Sequence, residues 1–391
     1  MENFIFQSPT QFVFGRATEE QVGALVKAHG GTKVLLVYGQ GSVVRSGLID
    51  RVRRSLSKAE IPFVEMGQVM PNPTDEKVYE GIDLCRREGA DFLLPVGGGS
   101  VIDCAKAIAA GVPYDGDFWD FFEGKTIPTA LPVGVVLTIP AAGSEGSGNS
   151  VITKAALQKK ISIRAPHVLR PRFAVMNPEL TFTLPPYQTA CGVVDMMAHI
   201  QERYFNNTPA TQVTDGLSEA LLRTIAELAP KVMAVPDDYD ARANLEWCGT
   251  LAHNGLCGVG VAEDWASHAM EHELSALYGV AHGSGLAVVF PAWLTWMAHH
   301  NPRKVKQWAE NVWHVDSSGL TELETCLEGI SRYKDFLHSI GMPTTLGELG
   351  IENPDISLLS SRLHEHKGPT VGTYVPLGPA DSREIYQLAQ G

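Results

Sequence analysis

Three times between residues 33 and 110 the chain repeats one pattern: a short apolar run, a break, and an amphipathic stretch with helical spacing. Residues 33–38 (KVLLVY) break at Gly39-Gln40-Gly41-Ser42 before a helical stretch over 47–56. Residues 61–66 break at PNPT before 74–89, and residues 91–96 break at GGGS before 101–110. Runs of this length are too short for helices. Their alternation with helices predicts a doubly wound parallel sheet with crossover helices. From Leu184 the alternation stops. Pro185-Pro186 opens segments rich in Ala, Leu and Glu, with helical periodicity over 187–204, 211–233, 238–254, 262–277, 284–300, 302–313 and 322–340. The expected organisation is an α/β domain over 1–184 and an all-α domain over 185–391. Ahead of the first repeat, residues 4–6 and 12–14 read as two short strands joined by a Ser-Pro turn. Such a hairpin needs a neighbouring sheet or subunit to cover it.

Composition removes several function classes. Of 391 residues, 44% are apolar and 19% charged, which suits packed domains and excludes a disordered chain. Lys and Arg total 31 against 44 Asp and Glu, and the net charge of −13 repels nucleic acid and anionic lipid. No window approaches the roughly 18 apolar residues of a membrane span, and MENFIFQSPT lacks the regions of a secretory leader. The expected location is the cytoplasm. Six cysteines are scattered without a C-x-x-C pair, which reads as reduced, mostly buried thiols.

Ligands of open parallel sheets sit where strands end and helices begin. Gly97-Gly98-Gly99-Ser100 falls at such a place, where glycines admit a pyrophosphate and a helix N-terminus faces it. Asp103, one turn into that helix, repels phosphate, so it either holds the loop or accepts from a ribose hydroxyl. The loop Gly39-Gln40-Gly41-Ser42 follows the preceding strand in the repeat, where an adenosine ribose would lie. No acidic residue ends that strand and Arg45 is near, which tilts the choice toward NADP over NAD.

A second constellation lies in the helical half. Asp195 and His199 are four residues apart, about 40° around a helix and about 6 Å along it, on one face. HAMEHELSALYGVAHG adds His268, His272 and His282 to an otherwise apolar stretch. On one continuous helix His268 and His282 would lie about 21 Å apart, too far to share an ion with bonds of about 2.1 Å. The chain must reverse between them. Gly279 supplies the stop, and Gly283 with Gly285 is expected to free the return. One carboxylate oxygen with two or three imidazoles suits Fe(II), Zn(II), Mn(II) or Co(II), without the thiolates of a structural zinc. His299-His300 and His364-Glu365-His366 are rival candidates, but sequence neighbours do not share a helix face. His253 reads as a core histidine. A dinucleotide loop with an open divalent site suggests hydride transfer in which the metal polarises an alcohol or aldehyde oxygen, with His272 as proton relay.

The segments GGGSVIDCAK, TIPAAGSE, LPPYQTACGVVDMMAH and HAMEHELSALYGVAHGSGLAVVFPAW resemble the iron-containing (group III) alcohol dehydrogenase family, in its butanol dehydrogenase and aldehyde reductase branch. The likeness runs nearly end to end. It implies a Rossmann-like N-terminal domain, an all-α C-terminal domain (the dehydroquinate synthase-like fold), and a cleft between them for cofactor and metal. The family's metal ligands fall on Asp195, His199, His268 and His282, and its histidine near the nicotinamide on His272. Its cofactor contacts fall on Gly39, Gly41 and Ser42 at the adenosine end, on Asn72, Gly98, Gly99, Ser100 and Asp103 at the phosphates, with Gly97 opening that loop, and on Thr138 near the nicotinamide. Lys160 matches a family lysine that reaches the cofactor. Where many relatives carry a second threonine this chain has Ala142. The resemblance further implies a homodimer built through the N-terminal strands and a metal that is usually iron and often zinc.

The expected activity is thus an NADP-dependent, divalent-metal-dependent alcohol dehydrogenase or aldehyde reductase acting on small primary substrates, with neither nucleic acid nor membrane as partner. The alternative is a metal-dependent lyase resembling dehydroquinate synthase, which would leave nicotinamide absorbance unchanged and typically needs many basic residues for an anionic substrate. A non-catalytic relative that has kept the fold would bind no metal.

Overall fold

The computed structural model describes residues 1–157 and 159–391. The chain divides into two compact units: Gln7–Thr183 with Asp237–Thr250 form one, and Met1–Phe6, Leu184–Pro236 and Leu251–Gly391 the other.

The first unit is built on strands β1 (Gln11–Phe14), β2 (Val34–Gly39), β3 (Phe63–Val69), β4 (Phe92–Gly97), β5 (Gly134–Leu137) and β8 (Phe173–Met176), with β6 (Asn149–Lys154) and β7 (Lys159–Arg164) as a separate antiparallel pair. Helices α1 (Val22–Ala28), α2 (Ser42–Arg45), α3 (Leu48–Lys58), α4 (Asp75–Glu88), α5 (Gly99–Gly111) and α6 (Pro166–Leu169) connect them. The six-stranded sheet has the order β1-β8-β5-β4-β2-β3 and its pairings are parallel. Side chains alternate across β2: Val34 and Leu36 enter one core layer, Leu35 and Val37 the other. Burial on both faces explains why these strands read as unbroken apolar runs. Because β2 leads outward to β3 while β4 leads the other way to β5, the strand order reverses between β2 and β4. Ligands of doubly wound sheets bind beside such a reversal.

The hairpin expected at the N-terminus does not form. β1 pairs in parallel with β8, Gln11 opposite Phe173, at the edge of the sheet. Residues 4–6 find no strand partner among the described residues, and Ile5 is 96% exposed. Residues 1–6 group instead with the helical unit, where the Glu2 N–H donates to Gly260 O at 2.9 Å, so they are not available as a second strand beside β1.

The second unit consists of helices: α7 (Pro186–Tyr204), α8 (Gln212–Ala234), the end of α9 (Tyr239–His253), α10 (Ala266–Tyr278), α11 (His282–His300), α12 (Pro302–Asn311), α13 (Glu322–Ser339), α14 (Ile356–Lys367) and α15 (Pro379–Leu388). Among the described residues, no helix is long and apolar enough to cross a membrane. All six thiols are free and five are buried.

Candidate functional site

In the sheet unit, the loops after β2, β4 and β5 leave the same edge, because the three strands are adjacent and parallel. Gly97 closes β4, Gly98 is the N-cap of α5, and Gly99 and Ser100 form its first turn. No side chain caps that helix, and a methyl group added to Gly99 would meet nothing within 4 Å. The positive end of α5 therefore opens onto free space, as a phosphate cradle requires. Thr138 sits beside it, its N–H donating to Gly97 O at 3.1 Å. Gly41 (φ 136°) and Ser42 lead into α2 after β2, and the Arg45 guanidinium lies over Gly41. Asn72, in left-handed conformation at φ 52°, belongs to the segment after β3. Lys160 on β7 is paired with Thr153, which in turn bridges to Thr74 beside that segment.

Asp103 holds the segment after β5, in place of the glycine loop expected of it. Its Oδ1 accepts from Ser144 Oγ (2.6 Å) and its Oδ2 from the Val151 N–H (3.0 Å). Lys106, one turn further along, was not singled out from the sequence although it closes the motif GGGSVIDCAK. Its buried Nζ donates to Ser144 O, Ser144 Oγ, Ser147 O and Asn149 O at 2.6–2.9 Å. Burial lowers its pKa to about 8, against the opposing charges of Asp103 and Glu145. The segment that follows Thr138 is thus fixed from beneath by two residues of α5.

In the helical unit, Asp195 and His199 project from α7, and His268 and His272 from α10. The reversal falls at Gly279, the left-handed C-cap of α10 (φ 68°), and His282 begins α11. Gly283 and Gly285 do not free this return, because both lie in the first turn of α11. They let helices meet: a side chain at 283 would strike the Cys191 backbone of α7, and one at 285 the Glu271 carboxylate of α10.

Asp195 Oδ1 lies 3.4 Å from His199 Nε2 and 3.7 Å from His282 Nε2. Asp195, His268 and His282 each place a donor atom within 4.8 Å of the others, and the His199 and His268 rings are 4.6 Å apart. Those nitrogen–oxygen distances exceed ordinary hydrogen bonds. They match the edge of a tetrahedron with metal bonds of about 2.1 Å, roughly 3.4 Å. Asp195 Oδ1 and His268 Nε2 are buried and have no hydrogen-bond partner among the described residues. Unsatisfied buried acceptors are costly unless a cation completes them, so the residues fit a metal ion. Burial, and then repulsion from neighbouring cationic groups, the Arg203 guanidinium among them, hold the His199 imidazole well below its ordinary pKa of 6.5, which keeps it neutral as a ligand must be.

Two carboxylates that sequence reasoning did not identify stand behind the histidines. Glu202 accepts from His268 Nδ1 (2.8 Å), and Glu271 is hydrogen-bonded to His282 Nδ1. His272 is buried, its ring 5.5 Å from that of His282. His253 is a core histidine: Arg203 donates to its Nδ1 at 2.9 Å, and since guanidinium cannot accept, the ring proton is on Nε2. The rival imidazoles are also committed, His300 to Trp296 O, His364 to Gly368 O and Ser382, and His366 to Glu273.

A sheet whose reversal point carries glycine loops, and helices that gather a carboxylate and imidazoles, define a class of metal- and dinucleotide-using oxidoreductase. The family comparisons agree with it residue range by residue range. The model described as "Iron-containing alcohol dehydrogenase" matches residues 9–178, and "Fe-containing alcohol dehydrogenase family, C-terminal" matches 189–388. The chain belongs to the iron-containing alcohol dehydrogenase family, as its motifs imply, and is an enzyme of the alcohol dehydrogenase class. It is 43% identical to "Probable NADH-dependent butanol dehydrogenase 2" of Bacillus subtilis, covering 94% of this chain and 95% of that one. It is 37% identical over the full length of both chains to "NADPH-dependent aldehyde reductase YqhD" of Escherichia coli. The solved structure of NADH-dependent butanol dehydrogenase A from Thermotoga maritima superposes with a TM-score of 0.96 at 40% identity, covering 100% of this chain and 99% of that one.

Proposed function

We propose that the protein transfers hydride between NADP(H) and small primary alcohols or aldehydes, with one divalent ion, iron or zinc, held by Asp195, His199, His268 and His282. The observation that supports it most is the tetrahedron-edge spacing of Asp195 Oδ1 from two imidazole nitrogens. When bound, the ion supplies Lewis acidity to the substrate oxygen and the nicotinamide exchanges the hydride. Gly39, Gly41 and Ser42 take the adenosine end of the dinucleotide. Asn72, Gly97, Gly98, Gly99 and Ser100 take its phosphates, and Asp103, whose carboxylate holds the segment after β5, lies one turn behind them. Thr138 and Lys160 contact the cofactor further along. His272, buried next to His282, receives the alcohol proton in one direction and returns it in the other. Butanol-sized substrates are the ones to test, since the relatives at 43% and 37% identity carry the names butanol dehydrogenase and aldehyde reductase.

Preference for NADP(H) is supported by the sequence VLLVYG of β2, which ends without a carboxylate, and by Arg45 beside Gly41. Of the three relatives given above, two carry names that specify NADH and one NADPH, and three further relatives at 37–42% identity also specify NADH. A homodimer is supported by the edge position of β1 and by the exposed Phe4, Ile5 and Phe6 ahead of it. The test is butanal reduction with NADPH and with NADH at equal concentration, in the wild-type chain and in His268→Ala. A higher kcat/KM with NADPH and loss of turnover in the folded variant are expected. Undiminished turnover in His268→Ala refutes the metal-assisted reaction.

A further inference from the structure

Glu202 and Glu271 are fully buried carboxylates of the helical unit. Glu202 stands on α7, one turn beyond His199, and faces the start of α10. Trp265, the N-cap of α10, is held in left-handed conformation at φ 68° and contributes no capping side chain. Glu202 supplies the cap from outside: Oε2 accepts the Trp265 N–H at 2.8 Å and Oε1 the His268 N–H at 2.9 Å. The same Oε1 accepts from His268 Nδ1 at 2.8 Å. One carboxylate therefore fixes the helix, the residue and the ring.

Glu271 is held with the same economy. Ser275 Oγ donates to its Oε1, the ring of His282 to its Oε2, and the missing side chain of Gly285 leaves it room. A carboxylate can only accept, so both rings carry their proton on Nδ1. The Nε2 lone pairs are thereby left to face Asp195, which is 3.7 Å from His282 Nε2. The third imidazole differs. His199 Nδ1 is buried with no hydrogen-bond partner among the described residues, and Arg203 reaches only its carbonyl.

We propose that Glu202 and Glu271 are positioning residues that lock His268 and His282 in the Nδ1–H tautomer, and that retention of the metal depends on this pair. The inference rests on the metal reading above and assigns to it two residues that do not touch the ion. It also accounts for the second grouping, Glu271 with His272 and His282, whose ligand atoms likewise fall within 4.8 Å of one another. There Glu271 is a partner of His282 and not a ligand, so the chain should hold one ion and not two.

The test is metal uptake by the full metal-free chain, titrated with Zn(II) against a chelating dye. One equivalent is expected for the wild type. Glu271→Gln, which keeps the size of the side chain but replaces the charged acceptor of Nδ1–H by a weaker neutral one, should bind it about 10- to 100-fold more weakly while the metal-free melting temperature stays close to that of the wild type. Unchanged affinity in Glu271→Gln, or a second equivalent bound by the wild type that Glu271→Gln loses, overturns the proposal. If the variant does not fold, nitrogen chemical shifts of the histidine rings in the metal-free wild type decide: a proton on Nδ1 of His268 and His282 supports the lock, and a proton on Nε2 refutes it. Failure of the wild type to bind any Zn(II) instead counts against the metal reading itself.

Discussion

Asp195 Oδ1 on α7 and His282 Nε2 at the start of α11 lie 3.7 Å apart, brought together by a helix contact that only glycine permits. A Cβ at Gly283 would overlap the Cys191 backbone, one turn before Asp195 on α7. Ligand geometry is thus set by how closely α7, α10 and α11 approach.

Gly285→Ala measures this directly. Its added methyl would come within 2.8 Å of Glu271 Cγ and Oε1, the side chain that orients His282. A loss of about 1–3 kcal/mol of stability is expected, as for other overpacked sites. Weaker metal retention should accompany it. Gly283→Ala faces backbone, which yields less readily, and should cost more. Urea melts of both variants against the wild type give the ranking, and equal stabilities would show that helix contact is not tight there.

His272→Ala separates proton transfer from metal binding. The side chain is not among the four proposed ligands, so one equivalent of metal should remain. A kcat lower by about 100-fold or more is expected if the ring moves the alcohol proton. Unchanged kcat and pH profile would remove it from the reaction.

Lys106→Met tests the support beneath the loop that follows β5. The substitution keeps most of the side-chain volume and removes the donor to Ser144, Ser147 and Asn149. Leaving one buried carbonyl unpaired costs about 1–3 kcal/mol. A destabilisation of that order or more is expected, with a raised KM for the dinucleotide and an unchanged metal content. A KM equal to that of the wild type would show that the loop does not shape cofactor binding.

Acid sensitivity should trace partly to His199. Its folded pKa is depressed, chiefly by burial, below the ordinary 6.5. As pH falls below that value the unfolded chain takes up a proton that the folded chain refuses, so stability declines toward the lower folded pKa. In metal-free protein, His199→Gln should therefore lose less stability than the wild type on acidification through this window. Parallel losses in the two chains, read from urea melts, would contradict the assignment.

What the sequence displays and what it hides follow from locality. β2, β3 and β4 and helices α7 to α13 announce themselves because apolar spacing is written in consecutive residues, and their observed limits fall within a few positions of the expected ones. The pair β6 and β7 was not visible in this way, since NSVITK and KKISIR are polar on one side and their pairing is antiparallel within a parallel design. Neither α14, rich in Ser and His, nor α15 declares itself by composition. The ligand histidines stood out as polar residues in apolar helices. Glu202 and Glu271 did not, although Glu271 adjoins His272 in the chain, because their partners are made by tertiary contact: Glu202 meets His268 across 66 positions. Gly283 and Gly285 were legible as significant but not as helix contacts, because a glycine's neighbour in space has no trace in its own segment.

The most direct measurement is anomalous diffraction from crystals of catalytically active, metal-replete protein, recorded at the absorption edge of the metal found by elemental analysis. One peak bonded to Asp195, His199, His268 and His282 is the predicted result. Active crystals with no such peak, or with the metal bound elsewhere in the chain, would contradict the proposed centre.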